Sequence, residues 1–317
     1  MITPKVSIIM ATYNRANFIA ETLVAIQNQT FTDWECLIID DGGTDNTKEI
    51  IAPFIEKDSR FKFHLRPSTY QKALPGCRNY GLDLAKGEYI IFFDDDDIPH
   101  PQNLEICLDE LESNQNIYFC RYERNVFFED FHYNFDLSKS YTQFPVDEKF
   151  VTKMLTNELQ FNSCQVMWRS ECFKENRYVE HLMFFEEWEL YARIVSSGFN
   201  GITISKVLFF GRKHANSMTG EYYSYNPARR KSSADAMVLA VENLKQKNLL
   251  NYYITRYFIV VSYNYKEYNL FNRIIKALKV SFFKEMQWRI FYFSLKIRLP
   301  INRFRAKRKK IKQTKKT

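Results

Sequence analysis

YIIFFDDDDIPHP, residues 89–101, is the stretch that decides the fold, because an apolar run leads directly into four aspartates, Asp94 to Asp97. Short runs rich in β-branched and aromatic residues predict strands that are buried on both faces. Adjacent carboxylates at the end of such a strand repel one another unless a cation, a proton or water offsets their charge. A solvated acidic turn and a cation-binding site are therefore both open at this point.

Two stronger runs and one weaker run extend the strand pattern towards the N-terminus. KVSIIMA (5–11) and WECLIID (34–40) predict buried strands, and RFKFHL (60–65) predicts a weaker one. Amphipathic segments lie between the strands, and we expect Asn17 and Thr44 to cap the first two helices. Strands that alternate with helices at this spacing predict an α/β fold with a doubly wound, mostly parallel sheet.

Composition excludes several classes of protein. The chain has 317 residues, of which 45% are hydrophobic and 16% aromatic, so it can bury a substantial core and is not disordered throughout. Its six cysteines show no C-x-x-C spacing, which argues against a zinc site and a disulfide framework. We find neither signal-peptide zones nor an uncharged apolar stretch of roughly 18 residues, so we expect a cytoplasmic protein.

Polar residues follow three of the predicted strands. TYNR (12–15) follows the first strand, DDGGTDNT (40–47) the second, and the four aspartates the strand at 89–93. Ligands of doubly wound sheets bind outside the carboxyl ends of the strands, so these three clusters share one crevice. Their convergence favours a nucleotide-binding site over a solvated turn.

Residues 6–47 and 76–105 together resemble the N-terminal half of family 2 glycosyltransferases. The resemblance rests on VSIIMATYNRANFIAETLVAIQNQTFTDWECLIIDDGGTDNT and GCRNYGLDLAKGEYIIFFDDDDIPHPQNLE, and it extends over about residues 4–215. Several motifs occur in the order and spacing of the family. The resemblance implies a GT-A fold and an inverting transfer from a nucleotide-sugar donor.

The resemblance also implies how the donor is bound. Thr12 and Tyr13 border the base, Asp41 accepts a hydrogen bond from the uracil ring or the ribose, and Arg78 faces the diphosphate. Each residue type suits its role, because tyrosine offers a stacking face and guanidinium binds phosphate oxygens in a bidentate manner. The donor is expected to be a UDP-sugar.

The Asp-x-Asp motif of the family matches Asp94 to Asp96. The resemblance implies that Asp96 binds Mn²⁺ or Mg²⁺ directly, while Asp94 or Asp95 holds the ribose or a metal-bound water. A hard dication prefers such oxygen ligands, and it would offset the charge of the aspartates. His214 is a further candidate ligand, in a stretch that also contains Arg212. Asp97 is assigned no chemical role.

The segment MFFEEWELYARI (183–194) has the spacing of a helix, and it matches the place of the family's Glu-Asp pair. The aspartate of that pair acts as the base, whereas this chain has Glu186 followed by Glu187. The resemblance implies that Glu187 removes the proton from the acceptor hydroxyl. Because glutamate is one methylene longer than aspartate, the choice between Glu187 and Glu186 is open.

The sequence beyond residue 220 departs from the family pattern. We expect a GT-A domain over 1–220, with a nucleotide-sugar half (1–100) and an acceptor half (101–220). A helical region (221–297) and a polybasic tail (298–317) follow. The tail has ten lysines and arginines and no acidic residue, whereas the whole chain has a net charge of +8.

Lysines and arginines interleaved with Trp288, Phe291, Tyr292 and Leu295 suit a helix that lies on an anionic membrane, and a solvated extension is the alternative. We therefore expect a peripheral location on the inner face of the plasma membrane. We find no recognised nucleic-acid module, and the sequence leaves homo-oligomerisation open.

Together these patterns predict a metal-dependent transferase that moves a sugar from a UDP-sugar to a hydroxyl of a glycan or a lipid-linked acceptor. Such an enzyme would act in surface polysaccharide biosynthesis, in capsule, lipopolysaccharide or O-antigen. The alternative is a catalytically silent sugar-nucleotide-binding or scaffold module of a membrane-associated assembly complex. Glutamate in place of the aspartate base is the feature that keeps this alternative open.

Overall fold

The computed structural model describes residues 3–213, 218–265 and 267–314. The chain forms two compact units, Met1–Ala236 and Met237–Thr317. The domain boundaries predicted after residues 220 and 297 stay predictions.

A nine-stranded sheet forms the centre of the first unit. Its strands are β1 (Val6–Thr12), β2 (Trp34–Asp40), β3 (Phe61–Leu65), β4 (Tyr89–Phe92), β5 (Ile98–Pro99), β6 (Phe119–Phe128), β7 (Gln143–Val146), β8 (Val166–Arg169) and β9 (Gly201–Lys213). The helices are α1 (Ile19–Gln27), α2 (Thr47–Lys57), α3 (Leu74–Leu84), α4 (Asn103–Ser113), α5 (Val151–Leu155), α6 (Glu186–Val195), α7 (Met218–Tyr223), α8 (Pro227–Gln246), α9 (Tyr252–Tyr265), α10 (Leu270–Leu278) and α11 (Phe282–Thr314). Short 3₁₀ helices cover Glu148–Phe150, Ser163–Gln165 and Ser170–Phe173.

The strand order is β3-β2-β1-β4-β8-β6-β9-β5, and β7 pairs with β9 outside this path. The first four strands of this order are parallel, as the alternation of strands and helices predicts. Strand β8 pairs antiparallel to both β4 and β6, whereas β6 and β9 are parallel. The fold is therefore mixed α/β, with its parallel part in the N-terminal half of the chain.

Strands β1, β2 and β4 are buried along nearly their whole length because their residues are apolar on both faces. Helix α3 packs very close to the sheet at Gly81, where a Cβ atom would lie 2.5 Å from Cγ2 of Ile9. A larger residue at position 81 would push α3 away from β1. The close packing fixes α3, and with it Arg78, at the carboxyl end of the parallel strands.

The predicted helix caps are wrong. Helix α1 is preceded by Phe18 and α2 by Asn46, and neither helix has a side-chain cap from the predicted Asn17 or Thr44. The carboxylate of Asp45 instead accepts a hydrogen bond from the backbone N–H of Thr47 at 3.1 Å, at the start of α2.

The same loop is tied to the loop that follows β1. Asn14 Oδ1 accepts the backbone N–H of Thr44 at 2.7 Å, and the Asp45 carboxylate accepts that of Ala16 at 3.1 Å. Contacts between two loops therefore replace the local caps that the sequence suggested.

A buried carboxylate lies at the amino ends of the same parallel strands. Glu35 of β2 accepts hydrogen bonds from the hydroxyl of Ser7 at 2.7 Å and from the backbone N–H of Lys86 at 2.9 Å. Its second oxygen pairs with Lys62 Nζ at 2.5 Å. These donors outweigh the effect of burial and hold the pKa of Glu35 below its usual value.

In the second unit, helix α11 packs against α9 and α10 through aromatic residues. Trp288 stacks on Tyr252 with ring centroids 5.6 Å apart, and Tyr292 stacks on Phe271 at 3.8 Å. Trp288 and Leu295, which the sequence analysis placed on a membrane, are buried inside this unit, and that placement is wrong. In the described parts of the chain, every helix is too short or too polar to cross a membrane.

Candidate functional site

A cavity of about 620 Å³ lies at the carboxyl edge of the parallel strands. The ends of β1, β2, β4 and β9, the start of α3 and the start of α6 contribute to its lining. Among the described residues, charged side chains of both signs line it in equal number. The acidic ones are Asp41, Asp94 to Asp97, Glu186 and Glu187, and the basic ones are Arg15, Lys72, Arg78, Arg124, Arg212, Lys213 and Arg229. The three polar clusters that the sequence analysis placed in one crevice do contribute to one cavity.

Thr12, Tyr13 and Asp41 lie together at the end of the cavity formed by β1 and β2. Thr12 ends β1 and pairs in register with Asp40, the last residue of β2, so Tyr13 and Asp41 begin two adjacent loops. Tyr13 is 45% exposed, and Lys72 Nζ lies 4.9 Å from its ring centroid. Asp41 pairs with Arg66 Nε at 2.5 Å. This end of the cavity therefore offers an aromatic face beside an oriented carboxylate.

The backbone at Ala73, beside Asp41, is strained. Ala73 has φ 127° and ψ 177°, a conformation that is essentially restricted to glycine. The residue lines the cavity and directly precedes α3. Residues held in such conformations cluster at functional sites, where the surrounding structure imposes them.

Arg78 joins the aspartates to the glutamates. Its Nη2 donates to Asp94 Oδ1 at 3.0 Å and to the Ser163 hydroxyl at 2.9 Å. Its Nη1 lies 3.6 Å from Glu186 Oε1 and has no hydrogen-bond partner among the described residues. A buried guanidinium N–H without an acceptor is costly in a folded protein. Arg78 therefore offers an unused donor at the centre of the charged cluster.

Asp95 pairs with Arg15, a contact that the sequence analysis did not anticipate. Arg15 Nε donates to Asp95 Oδ1 at 3.2 Å, and Arg15 Nη2 lies 3.9 Å from Asp96 Oδ2. Burial nevertheless raises the pKa of Asp95 to about 7, because desolvation outweighs the effect of the guanidinium. One arginine thus contacts two aspartates.

Asp97 is buried and anchors the turn. Its Oδ1 accepts the backbone N–H of Arg212 at 2.7 Å, and burial together with the neighbouring Asp94 and Asp96 raises its pKa. The Arg212 guanidinium donates to the carbonyl oxygen of Asp96 at 2.9 Å and also binds Glu21. Arg212 thereby ties the aspartate turn to β9 and α1.

The carboxylate oxygens of Asp94 and Asp97 and the sulfur of Cys164 lie within 4.8 Å of one another, in a group that could hold a metal ion. Asp95 and Asp96 add two further carboxylates to the cavity wall. A cluster with this many oxygen ligands suits a hard dication. His214, the other predicted ligand, lies outside the described residues.

Helix α6 brings the two glutamates to the opposite wall. Phe185, which precedes the helix, has a left-handed backbone with φ 68°, and a bulky residue in this region is strained. Glu186 and Glu187 begin the helix and both line the cavity. Burial and the nearby Glu187 raise the pKa of Glu186 to about 8, and the opposing effect of Arg78 is weaker. The site therefore contains a carboxyl group poised between its two protonation states near neutral pH.

Several basic residues of the cavity carry no sequence signal. Lys72, Arg124 and Lys213 come from the loop before α3, from β6 and from β9. Arg124 and Lys213 form no ion pair with any residue that the structure describes. Burial and the nearby Arg124 lower the pKa of Lys213. Only the pairing of β6 with β9, which is remote in sequence, brings these two cations to the aspartates.

Comparison with known proteins adds a family and a fold. The sequence matches Glycosyl transferase family 2 over residues 7–176, slightly more than half of the chain. It is 37% identical to the Escherichia coli UDP-Glc:alpha-D-GlcNAc-diphosphoundecaprenol beta-1,3-glucosyltransferase WfgD over 119 residues, which are 37% of this chain and 46% of WfgD. The chain spans between 30% and 64% of the length of the first curated relatives that it matches.

Two solved structures share the fold. S. aureus TarS in complex with UDP-GlcNAc superposes with a TM-score of 0.64 and 18% identity, over 90% of this chain and 78% of TarS. The mannosyltransferase PcManGT of Pyrobaculum calidifontis, in complex with GDP-Man and Mn²⁺, gives a TM-score of 0.57 and 15% identity, over 93% of this chain and 81% of PcManGT. At these identities the likeness concerns the fold alone.

Proposed function

The chain belongs to Glycosyl transferase family 2 and has the predicted GT-A fold, and from this premise we propose the reaction that its cavity performs. The protein transfers a sugar, with inversion, from a UDP-sugar to a hydroxyl of a glycan or lipid-linked acceptor in surface polysaccharide biosynthesis. One observation carries the proposal. The aspartates that follow β4 and the glutamates that begin α6 line the same cavity, with Arg78 between them.

The nucleotide lies at the end of the cavity formed by Thr12, Tyr13 and Asp41. The exposed ring of Tyr13 provides a stacking surface for the base. Asp41, oriented by Arg66, accepts a hydrogen bond from the uracil or the ribose. A UDP-sugar is the donor because WfgD, a relative in sequence, is named for UDP-Glc.

The diphosphate lies beside the aspartates, where a metal ion fits the residues present. Asp96 and Asp94 would hold Mn²⁺ or Mg²⁺, with Asp95 beside them, because the aspartates that line the cavity offer several carboxylate oxygens. A bound ion would supply positive charge to offset that of the departing diphosphate. Arg78 presents Nη1, which makes no hydrogen bond to a described residue, and Lys213 adds a cation from β9.

Glu187 acts as the base. Glu186 is buried and lies against Arg78, which holds its carboxyl group in place, whereas Glu187 is half-buried and lines the cavity. Glu187 takes the proton of the acceptor hydroxyl as that oxygen attacks the anomeric carbon from the face opposite UDP. Glu186 with Arg78 keeps the start of α6 in position, and it is the alternative base.

The acceptor is a saccharide on a lipid diphosphate. The name of WfgD specifies an acceptor linked to diphosphoundecaprenol, and 119 residues of this chain match WfgD at 37% identity. The polybasic segment 298–317 supports attachment to an anionic membrane where such acceptors lie, because each basic residue near the surface contributes about 1 kcal/mol. The protein therefore works at the inner face of the plasma membrane.

UDP release tests this function. The purified protein is mixed with one of several UDP-sugars, a diphosphoundecaprenol-linked saccharide, and either Mn²⁺, Mg²⁺ or EDTA. We expect UDP release that needs both acceptor and dication and that is lost in Asp96→Asn. Donor binding without release for any acceptor, with wild-type Glu187 present, would support the silent binding module instead.

A further inference from the structure

Helix α11 carries a second apolar face that the second unit leaves uncovered. Seven large apolar side chains of α11 are between 43% and 80% exposed, and we call them the exposed stripe. They are Phe282, Phe283, Met286, Ile290, Phe293, Ile297 and Ile301. Contiguous exposed apolar residues of this kind mark interaction surfaces in folded proteins.

The spacing of the exposed stripe places it on one side of the helix. At about 100° per residue, its seven members fall within about 100° of arc around the axis. Trp288 and Leu295, which are 6% and 2% exposed, lie on the opposite side, where Trp288 stacks on Tyr252. Helix α11 therefore has one apolar face that holds it to its unit and another that faces away from it.

Basic residues border and continue this face. Lys296 and Arg298 are exposed and lie on either side of the exposed stripe when the helix is viewed down its axis. From Arg298 onward the sequence contains ten basic residues and no acidic one. An apolar face flanked by cations is the pattern of a helix that lies in the interface of an anionic membrane, with the long basic side chains reaching the headgroups.

We propose that α11 lies flat on an anionic lipid bilayer and inserts the exposed stripe among the acyl chains. This inference rests on the proposed function, since it specifies how the enzyme reaches a lipid-linked acceptor. It replaces the aromatic face predicted from sequence with the opposite face of the same helix. The apolar contact gives binding that salt does not screen, and the basic residues select anionic lipid.

The experiment compares two matched triple variants of the full chain by co-sedimentation with vesicles. Ile290→Gln, Phe293→Gln and Ile297→Gln together remove the centre of the exposed stripe. Leu65→Gln, Phe128→Gln and Leu137→Gln remove three similar side chains that are 60% to 71% exposed in the first unit. Vesicles contain phosphatidylcholine alone or phosphatidylcholine with phosphatidylglycerol, at low and high salt. Melting temperature and oligomeric state are measured for every variant.

We expect the stripe variant to lose at least tenfold in partition to anionic vesicles, and to lose the part of binding that persists at high salt. The control variant should bind as the wild type does, and both variants should melt normally because the substituted positions are exposed. Unchanged vesicle binding by the stripe variant would overturn the inference. So would a wild-type dimer that the stripe variant converts to a monomer, because the exposed stripe would then be a contact between copies.

Transferase activity towards a water-soluble acceptor is measured in the same samples. Retained activity with no wild-type vesicle binding would overturn this inference and leave the proposed reaction intact. Vesicle binding that depends on the exposed stripe, in a protein without any transferase activity, would support the inference while the proposed reaction fails. The two failures are thus distinguishable.

Discussion

Buried carboxyl groups lie at both ends of the parallel strands, and their pKa values are shifted in opposite directions at the two ends. At the amino end, Glu35 is surrounded by Lys62, the hydroxyl of Ser7 and a backbone N–H, and its pKa is held low. At the carboxyl end, Asp95 and Glu186 are equally buried but share too few donors, and their pKa values are raised to about 7 and about 8. A buried carboxylate with a full set of donors stabilises the fold, whereas buried carboxyl groups with raised pKa values are typical of functional sites.

The largest expected effect is a loss of transferase activity when Glu187, in the cavity at the carboxyl end of the strands, is substituted. Glu187→Gln should lower kcat by about 10²- to 10⁴-fold, because the acceptor hydroxyl loses its base. Affinity for UDP-sugar should stay within about twofold of wild type, since the donor is held by other residues. Steady-state kinetics and donor titration measure both quantities. If only Glu186→Gln has this effect, the base is Glu186.

Substitution of Glu35, at the amino end of the strands, should lower the stability of the protein without a direct effect on the transfer reaction. Glu35→Ala removes three hydrogen-bond acceptances at a buried position and should cost about 2–3 kcal/mol of unfolding free energy. Glu186→Gln should change the unfolding free energy at pH 7 by less than about 1 kcal/mol, because a carboxyl group with a pKa of about 8 is mostly protonated there and glutamine is a neutral side chain of similar size. Denaturant unfolding measures the difference. Equal losses in the two variants would show that both carboxylates are structural.

The two carboxylates should also give opposite dependences of stability on pH. Glu186 has a pKa raised from 4.5 to about 8, so the native state binds more protons than the unfolded state in that window and stability falls as pH rises through it. Glu35 has a lowered pKa, so its contribution is present above 4.5 and is lost as pH falls. The melting temperature should therefore depend less on pH between pH 5 and 8 in Glu186→Gln than in the wild type. An unchanged slope would show that Glu186 titrates normally.

The smallest expected effect concerns backbone strain at the cavity. Ala73→Gly should raise the unfolding free energy by about 1 kcal/mol, because glycine adopts the observed conformation without strain. This gain exceeds the loss of stability that glycine causes by adding flexibility to the unfolded chain. Thermal unfolding would show an increase of a few degrees. Gly42→Ala is the matched control and should be destabilising, since φ is +84° there and the substitution introduces strain.

Much of the parallel part of the sheet was predictable from sequence because its signals are local. Apolar runs marked β1, β2 and β4, and polar residues directly after each of them predicted one cavity. Other charged residues of the cavity could not be predicted, because contacts between segments distant in sequence bring them there. Arg124 and Lys213 reach the cavity only through the pairing of β6 with β9, and Arg15 meets Asp95 across 80 positions of the chain.

The second unit shows a different limit of sequence analysis. Helix α11 is apolar on two faces, and the sequence alone does not say which of them packs inward. The aromatic residues Trp288 and Tyr292 proved to be the inner face because Tyr252 and Phe271 stack on them. The face with Ile290 and Phe293 is consequently the one available to a partner.

The central claim is that the aspartates that follow β4 serve a dication and the diphosphate of a nucleotide sugar. The most direct test is the melting temperature with UDP, with Mn²⁺, and with both together, in wild type and in Asp96→Asn. Ligands that bind only the folded state raise this temperature. We predict a rise in wild type that needs UDP and Mn²⁺ together and is absent in Asp96→Asn. An equal rise in both proteins, or a rise with UDP that Mn²⁺ leaves unchanged, would contradict the account.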